Sequence, residues 1–254
     1  MGRVVAVANQ KGGVAKTTSV HTLGAAFAEQ GLRVLLVDLD PQACLTYSLG
    51  ADPDSLERSL HDVLVHRKDA RDVTVEVGGC TLLPATIDLA GAEVHLLSKT
   101  GREYAVKRAI ADLVADHDIT LIDCPPSLGI LTINGLTAAD EVVIPLQCET
   151  LSHRGVGQLL DTIADVRDYT NESLRVRGVI ATMYDGRTNL ARETIRQVEE
   201  QYELEVFDPP VPKSVRVAEA PGRNRSVLEH AGRSKAAIAY RSLAEQLADA
   251  ERPS

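Results

Sequence analysis

Asn9-Gln-Lys-Gly-Gly-Val-Ala-Lys-Thr-Thr18 decides how this 254-residue chain is read. It follows an apolar, β-branched run, Arg3-Val-Val-Ala-Val-Ala8. It precedes Lys16 to Gln30, which reads as a helix closed by Gly31 in the place of a left-handed cap. A turn of this kind between strand and helix suits a phosphate. Backbone N–H groups can surround the anion only where side chains leave room, and Gly12 and Gly13 leave it. The helix start adds unpaired N–H groups and the positive end of its dipole. Lys16 would reach the β- and γ-phosphates of a nucleotide, and the Thr17 hydroxyl would ligate Mg²⁺. The common pattern G-x-x-x-x-G-K-[ST] is not met, because its glycines would fall at Gln10 and Ala15. The chain carries K-G-G-x-x-K-[ST]-[ST] instead, with an additional lysine, Lys11, ahead of the glycines.

Outward from that loop, strands alternate with helices. Val34-Leu-Leu-Val37 is apolar throughout, as a central parallel strand should be. Thr81–Leu83, Thr120–Ile122, Glu141–Ile144 and Val176–Thr182 read as further strands, and Arg102–Asp116, Leu151–Tyr169, Asn189–Tyr202 and Ser234–Asp249 as helices. The expected fold is α/β: a single-domain P-loop NTPase fold over residues 1–254, its mostly parallel twisted sheet covered by helices on both faces. In the last helix Tyr240, Leu243, Ala244 and Leu247 make one apolar stripe, expected to dock on the sheet. Asp52–Gly79 is charged and weakly periodic and yields no clear element.

Two acidic sites follow apolar strands, where an α/β sheet opens its ligand crevice. Asp38 and Asp40 alternate in Val37-Asp-Leu-Asp-Pro-Gln42, so an extended backbone points both to one side. Asp123, in Thr120-Leu-Ile-Asp-Cys-Pro-Pro-Ser127, has the place of a carboxylate that holds Mg²⁺ through a water. Pro125 and Pro126 stiffen the following turn, a candidate γ-phosphate sensor.

Composition narrows the rest. With 44% hydrophobic and 25% charged residues the chain is neither disordered nor fibrous, and no apolar run approaches the roughly 20 residues of a membrane span. The N-terminus does not read as a signal peptide, so a cytoplasmic protein is expected. Cys44, Cys80, Cys124 and Cys148 have no metal-binding spacing and read as buried free thiols. The net charge of −9 argues against DNA, yet Val211–Arg241 holds Lys213, Arg216, Arg223, Arg225, Arg233, Lys235 and Arg241 against only Glu219 and Glu229.

The variant loop, the D-x-D-P-Q segment at Asp38–Gln42 and the Asp123 segment together resemble the deviant Walker A ATPases. Within them the closest resemblance is to the ParA/Soj partitioning proteins, from Val5 to about Leu247; the group also holds MinD, the nitrogenase iron protein and arsenite-pump ATPases. The resemblance implies ATP and Mg²⁺ as cofactors, with Lys11, Gly12, Gly13, Val14, Ala15, Lys16, Thr17 and Thr18 around the phosphates. Lys11 would cross the interface of an ATP-sandwich homodimer to the partner's nucleotide. Asp40 would position the attacking water, while Thr17, Asp38 and Asp123 serve the metal. Gln147 and Glu149, in Pro145–Thr150, would border the dimer interface, and Met183 and Pro212 would form the adenine slot. Ala15 stands where many relatives have glycine, which is harmless at negative φ and costly otherwise.

The resemblance further implies non-specific binding of double-stranded DNA by the ATP dimer. Arg216, in Pro212–Pro221, is the first candidate, followed by Arg187, Arg192, Arg223 and Arg225. Hydrolysis would be slow and stimulated by a ParB-like partner, in a cytoplasmic, nucleoid-associated protein. The chain starts almost at its first strand, so no N-terminal helix-turn-helix domain is expected. Two alternatives remain: a MinD-like membrane-cycling ATPase, and a ParA-like ATPase positioning a non-DNA cargo. No membrane binding is expected, because beyond Arg241 the chain carries Glu245, Asp249 and Glu251 against Arg252. A metabolic ligase or reductase partner on this fold finds no supporting motif.

Overall fold

The computed structural model describes residues 2–149 and 152–249. Thr150 and Leu151, which the sequence places at a strand end and a helix start, and Glu251 and Arg252 of the tail lie outside the described residues. Seven strands form one sheet: β1 (Arg3–Val7), β2 (Val34–Asp38), β3 (Val75–Val77), β4 (Cys80–Leu83), β5 (Ile119–Asp123), β6 (Glu141–Gln147) and β7 (Arg175–Thr182). Their order is β3-β4-β2-β5-β1-β6-β7, parallel except where β3 runs antiparallel to β4. That edge hairpin lies within the stretch the sequence left unread. It turns on Gly78 and Gly79, both at positive φ, as a two-residue hairpin loop requires.

The central strands are buried on both faces, which is why they read as unbroken apolar runs. Alternation still sorts their side chains. Val4, Ala6, Leu35 and Val37 enter one core, and Val5, Val7, Val34 and Leu36 the other. The first core is closed by α3 (Leu60–His66), α4 (Leu89–Leu97), α5 (Ala105–Asp116), α6 (Ile130–Ala138) and α7 (Ser152–Tyr169). The second is closed by α1 (Lys16–Glu29), α2 (Cys44–Ser48), α10 (Val227–Ala231) and α11 (Lys235–Ala248). Two further helices, α8 (Asn189–Tyr202) and α9 (Val215–Glu219), follow β7.

Two expectations are corrected. The helix read from Arg102 is a 3₁₀ turn, Arg102–Tyr104, followed by α5. The stripe of α11 is buried as expected, in the core it shares with β1, β2 and α1, and the Tyr240 hydroxyl lies 3.0 Å from Ser19 Oγ. Cys44 is exposed rather than buried, because it opens α2 just behind the 39–43 loop; the other three thiols are buried.

α1 lies close on β2: a Cβ on Gly24 would fall 2.8 Å from the far end of the Leu36 side chain, so a larger residue there would need Leu36 to shift.

Candidate functional site

The loop between β1 and α1 is tied to its surroundings by side chains the sequence reading did not single out. Asn9, almost fully buried, donates through Nδ2 to the Pro145 carbonyl at 2.7 Å and accepts from the Lys11 N–H at 3.0 Å. Thr182, at the end of β7, donates its hydroxyl to the Val14 carbonyl at 3.0 Å. The loop is thus held from β6 and β7 before any ligand arrives. Gly13 sits at φ +74, and a Cβ on Gly12 or Gly13 would meet no heavy atom within 4 Å. This concave opening, lined by backbone, is the space a phosphate would take.

Ala15 takes the costly branch of its expectation. It caps α1 at φ 66, ψ 33, a left-handed conformation that penalises any side chain by about 1–2 kcal/mol. Its carbonyl already receives the Ser19 N–H at 2.9 Å, so the strained turn is part of the helix start. Lys16 follows, 7% exposed, its ammonium donating to the Lys11 carbonyl at 3.2 Å. Burial lowers the Lys16 pKa, and Asp123 opposes that by favouring the charged form.

Two carboxylates, Asp123 and Asp40, act on this lysine, and a third, Asp38, lies behind Asp123. Asp38 and Asp123 are register partners on β2 and β5, both with no exposed surface. Asp38 is fully engaged: one oxygen accepts from the Thr46 N–H at 2.8 Å and hydroxyl at 2.7 Å, the other from the Asp40 N–H at 3.2 Å. Burial nevertheless pushes its pKa up to about 6. This is the setting of a carboxylate that organises the loop behind a metal rather than one that reaches for it. Asp40 accepts the Gln42 N–H at 2.9 Å, a turn that fixes its carboxylate at the mouth of the crevice.

Asp123 is different. Among the described residues neither of its buried oxygens has a well-formed hydrogen-bond partner, although the Thr17 hydroxyl stands near enough to interact. Burial and the neighbouring Asp38 raise its pKa well above the usual carboxylate value, while the Thr17 hydroxyl and the Lys16 ammonium act the other way. A buried carboxylate with no well-formed partner is costly unless something comes to meet it. Oxygen donors beside a phosphate-sized opening suit a hard divalent cation, so the residues present fit Mg²⁺.

The outer segments are placed as follows. Tyr184 donates its N–H to the Val211 carbonyl at 3.0 Å and pairs with Pro212, so the segments that carry Met183 and Pro212 run together next to the tethered end of β7. Met183 is itself left-handed, at φ 50. Lys11 Nζ lies 3.9 Å from Glu149, which also accepts from Gln147 Nε2 at 2.6 Å. That partly exposed pair is worth under about 1 kcal/mol and yields easily to a stronger charge. Arg187, Arg192, Arg216, Arg223 and Arg225 are all exposed. Arg187 is held by Asp185 at 2.7 Å and Arg216 by Glu219 at 3.2 Å, while Arg192 bonds Asn189. The Tyr184–Pro212 bridge brings the Arg187 loop beside Lys213, three residues before Arg216. Arg223 and Arg225 form a separate turn around Asn224, which packs on Gly50.

A protein-family profile described as an AAA domain matches residues 2–176. The chain is 43% identical over 250 residues to the sporulation initiation inhibitor protein Soj of Bacillus subtilis (strain 168), covering 98% of this chain and 99% of that protein. It is 41% identical over 254 residues to the chromosome partitioning protein ParA of Caulobacter vibrioides (strain NA1000 / CB15N), covering 98% and 95%. Among solved structures it is similar to a cobyrinic acid a,c-diamide synthase from Mycobacterium smegmatis with bound ATP analog and magnesium. There the TM-score is 0.88 at 55% identity, over 98% of this chain and 95% of that one.

Proposed function

The chain belongs to the ParA/Soj family of P-loop ATPases, and from that membership we propose that it is an ATP-driven switch that partitions DNA. It binds ATP with Mg²⁺, closes as a homodimer over two nucleotides, and holds duplex DNA without sequence preference. A ParB-like partner then speeds a slow hydrolysis that releases the DNA. The observation that carries this reading is the fully buried Asp123 carboxylate, without a well-formed partner among the described residues, opposite Lys16 and Thr17. Such a group makes sense only as half of a site completed by a metal and its phosphate.

In this mechanism the N–H groups of residues 12–18 and the Lys16 ammonium bind the phosphates. Thr17 and Asp123, backed by Asp38, would hold Mg²⁺, which would supply positive charge against the nucleotide's phosphates. Lys11 leaves Glu149 and reaches the partner subunit's nucleotide, so the dimer depends on ATP. Asp40 orients a water for in-line attack on the γ-phosphorus. The bond to the β,γ-bridging oxygen breaks, its electron pair leaves with ADP, and the water's proton passes to the phosphate or to solvent. With only positioning to accelerate attack, intrinsic turnover is slow. Met183 and Pro212 flank the base.

Arg216, with Arg187 and Arg192 beside Lys213, supplies the phosphate contacts to DNA, and Arg223 and Arg225 a second group. Dimerisation doubles their number on one surface, and Arg187, Arg192 and Arg216 must each exchange a carboxylate or amide partner for a DNA phosphate. The energetic gain per contact is therefore small, which suits reversible binding.

The alternatives find less support. The apolar stripe of α11 is already buried in the core beside α1, so it is not available to a bilayer. Among the described residues no helix is long and apolar enough to cross a membrane. An amide synthase drawing nitrogen from glutamine would need an activated thiolate, whereas all four thiols are shifted toward the protonated form, Cys80, Cys124 and Cys148 foremost by burial and exposed Cys44 by partial desolvation and the carboxylates of Asp40, Asp38 and Asp123. Co-sedimentation tests the reading directly. The wild-type chain with Mg²⁺ and ATP should pellet with duplex DNA and not with anionic vesicles. Lys16→Ala should lose nucleotide binding and DNA together; retained nucleotide affinity would refute the loop assignment.

A further inference from the structure

We propose that α3 carries a second metal site, built from His61, Asp62 and His66, for a borderline transition ion of the Zn²⁺ class. It is separate from the Mg²⁺ site. One donor atom from each of the three side chains lies within 4.8 Å of the others, the two imidazoles offering nitrogen and the carboxylate oxygen. Two imidazoles and a carboxylate with one position left for water are a donor set that Zn²⁺ takes readily and Mg²⁺ does not.

The local fold explains why these residues meet. Ser59 caps α3, accepting the His61 N–H, while its own N–H donates to Asp62 at 3.0 Å. That capping box fixes the Asp62 side chain through one oxygen and leaves the other as a ligand. At the far end Arg67 turns left-handed at φ 56, and the N–H groups of Arg67 and Lys68 both return to the Asp62 carbonyl. His66 follows Asp62 by four residues and so lies one turn above it on the same face. The His61 and His66 rings stand edge to face, centroids 5.3 Å apart. Tetrahedral ligands at Zn–N and Zn–O distances of about 2.1 Å lie about 3.4 Å from each other. From separations within 4.8 Å the donors would have to draw together on the metal, and the exposed His66 ring is the one with room to move. All three ligands come from six consecutive residues, so little chain entropy is lost on closure.

The site would brace one edge of the fold. Leu60 donates its N–H to the Pro84 carbonyl just after β4, and Ser59 Oγ lies 3.1 Å from Thr86 Oγ1. A metal on α3 therefore clamps the helix that carries this link between the 59 and 86 loops.

The test is calorimetric titration of the full chain with ZnCl₂ in chelator-free buffer, without nucleotide, paired with thermal unfolding. The wild type should take one tightly bound Zn²⁺ per chain in the micromolar range and melt several degrees higher. His66→Ala, at an exposed position, and His61→Gln should each weaken that binding at least tenfold and lose the thermal shift. His95→Ala, on the neighbouring α4, and Asp123→Asn, in the Mg²⁺ site, should leave it unchanged. Absence of a micromolar site in the wild type would overturn the proposal. So would a site that survives both α3 substitutions, or one that Asp123→Asn removes.

Discussion

Replacing Asp123 by asparagine should make the nucleotide-free protein more stable while disabling it. Among the described residues both buried Asp123 oxygens lack a well-formed partner, and the Asp38 carboxylate faces them across β2 and β5. For an acid whose pKa is raised on folding, the folded state holds its proton longer than the unfolded state. Stability is therefore present below the unfolded pKa and is lost as pH rises through the folded one. Asp38, raised from 3.8 to about 6, loses about 3 kcal/mol across that window, and Asp123 continues the loss above it. Asparagine keeps the shape and removes the second charge, so at pH 8 we expect a gain of about 1–3 kcal/mol. For a chain of this size that is roughly 3–10 °C in melting temperature.

The difference between variant and wild type is the proper readout. His21, lowered to about 4 by burial, makes both proteins gain stability as pH rises from 4 to 6.5 and cancels in the comparison. Asp118 and Asp185, lowered to about 2 by their arginines, are ionised in both states from pH 5 upward. Thermal unfolding without nucleotide should show near-equal melting temperatures at pH 5 and a clear gap at pH 8. Added Mg²⁺ and ADP should raise the wild type and leave the variant where it was. A variant less stable than the wild type at pH 8 would show that Asp123 has a partner within the chain, and the metal argument would fail.

Ala15→Gly removes the left-handed penalty but adds glycine's freedom to the unfolded chain, so the net gain should stay below about 1 kcal/mol. Its nucleotide affinity, read by titration, should change less than tenfold; a change of orders of magnitude would mean the loop is strained out of its binding shape. Asp40→Ala should cut phosphate release by about a hundredfold or more and leave the ATP-bound form on DNA, as seen by turnover and co-sedimentation assays. Rapid turnover would exclude it from water positioning. Arg216→Glu should spare ATP-dependent dimerisation in light scattering yet weaken DNA binding at least tenfold at low salt and flatten its salt dependence. Unchanged DNA affinity would remove that arginine from the surface.

What the sequence disclosed follows from where local chemistry and tertiary need coincide. The β1 and β2 runs are apolar because helices cover both faces, and the Gly12–Gly13 turn announces itself because no other residue type leaves such an opening. Elements went unread where that coincidence fails. In α6 eight of nine residues are buried, so no stripe separates inside from outside. In α3 a capping box at Ser59 and Asp62 was present, but seven residues are too few for a period to show. The three-residue β3 is an edge strand, legible only through its paired glycines. At the site, the spacing located Asp38, Asp40 and Asp123 but not their division of labour. That division is set by Thr46, eight residues from Asp38, which occupies one of its oxygens with two donors, while among the described residues only the Thr17 hydroxyl stands near Asp123, without a well-formed bond. Two aspartates at equivalent strand ends thus differ in what is packed behind them, and a motif cannot carry that. Ala15 makes the same point for the backbone: its identity was visible, its φ was not, and only the φ decides whether a missing glycine matters.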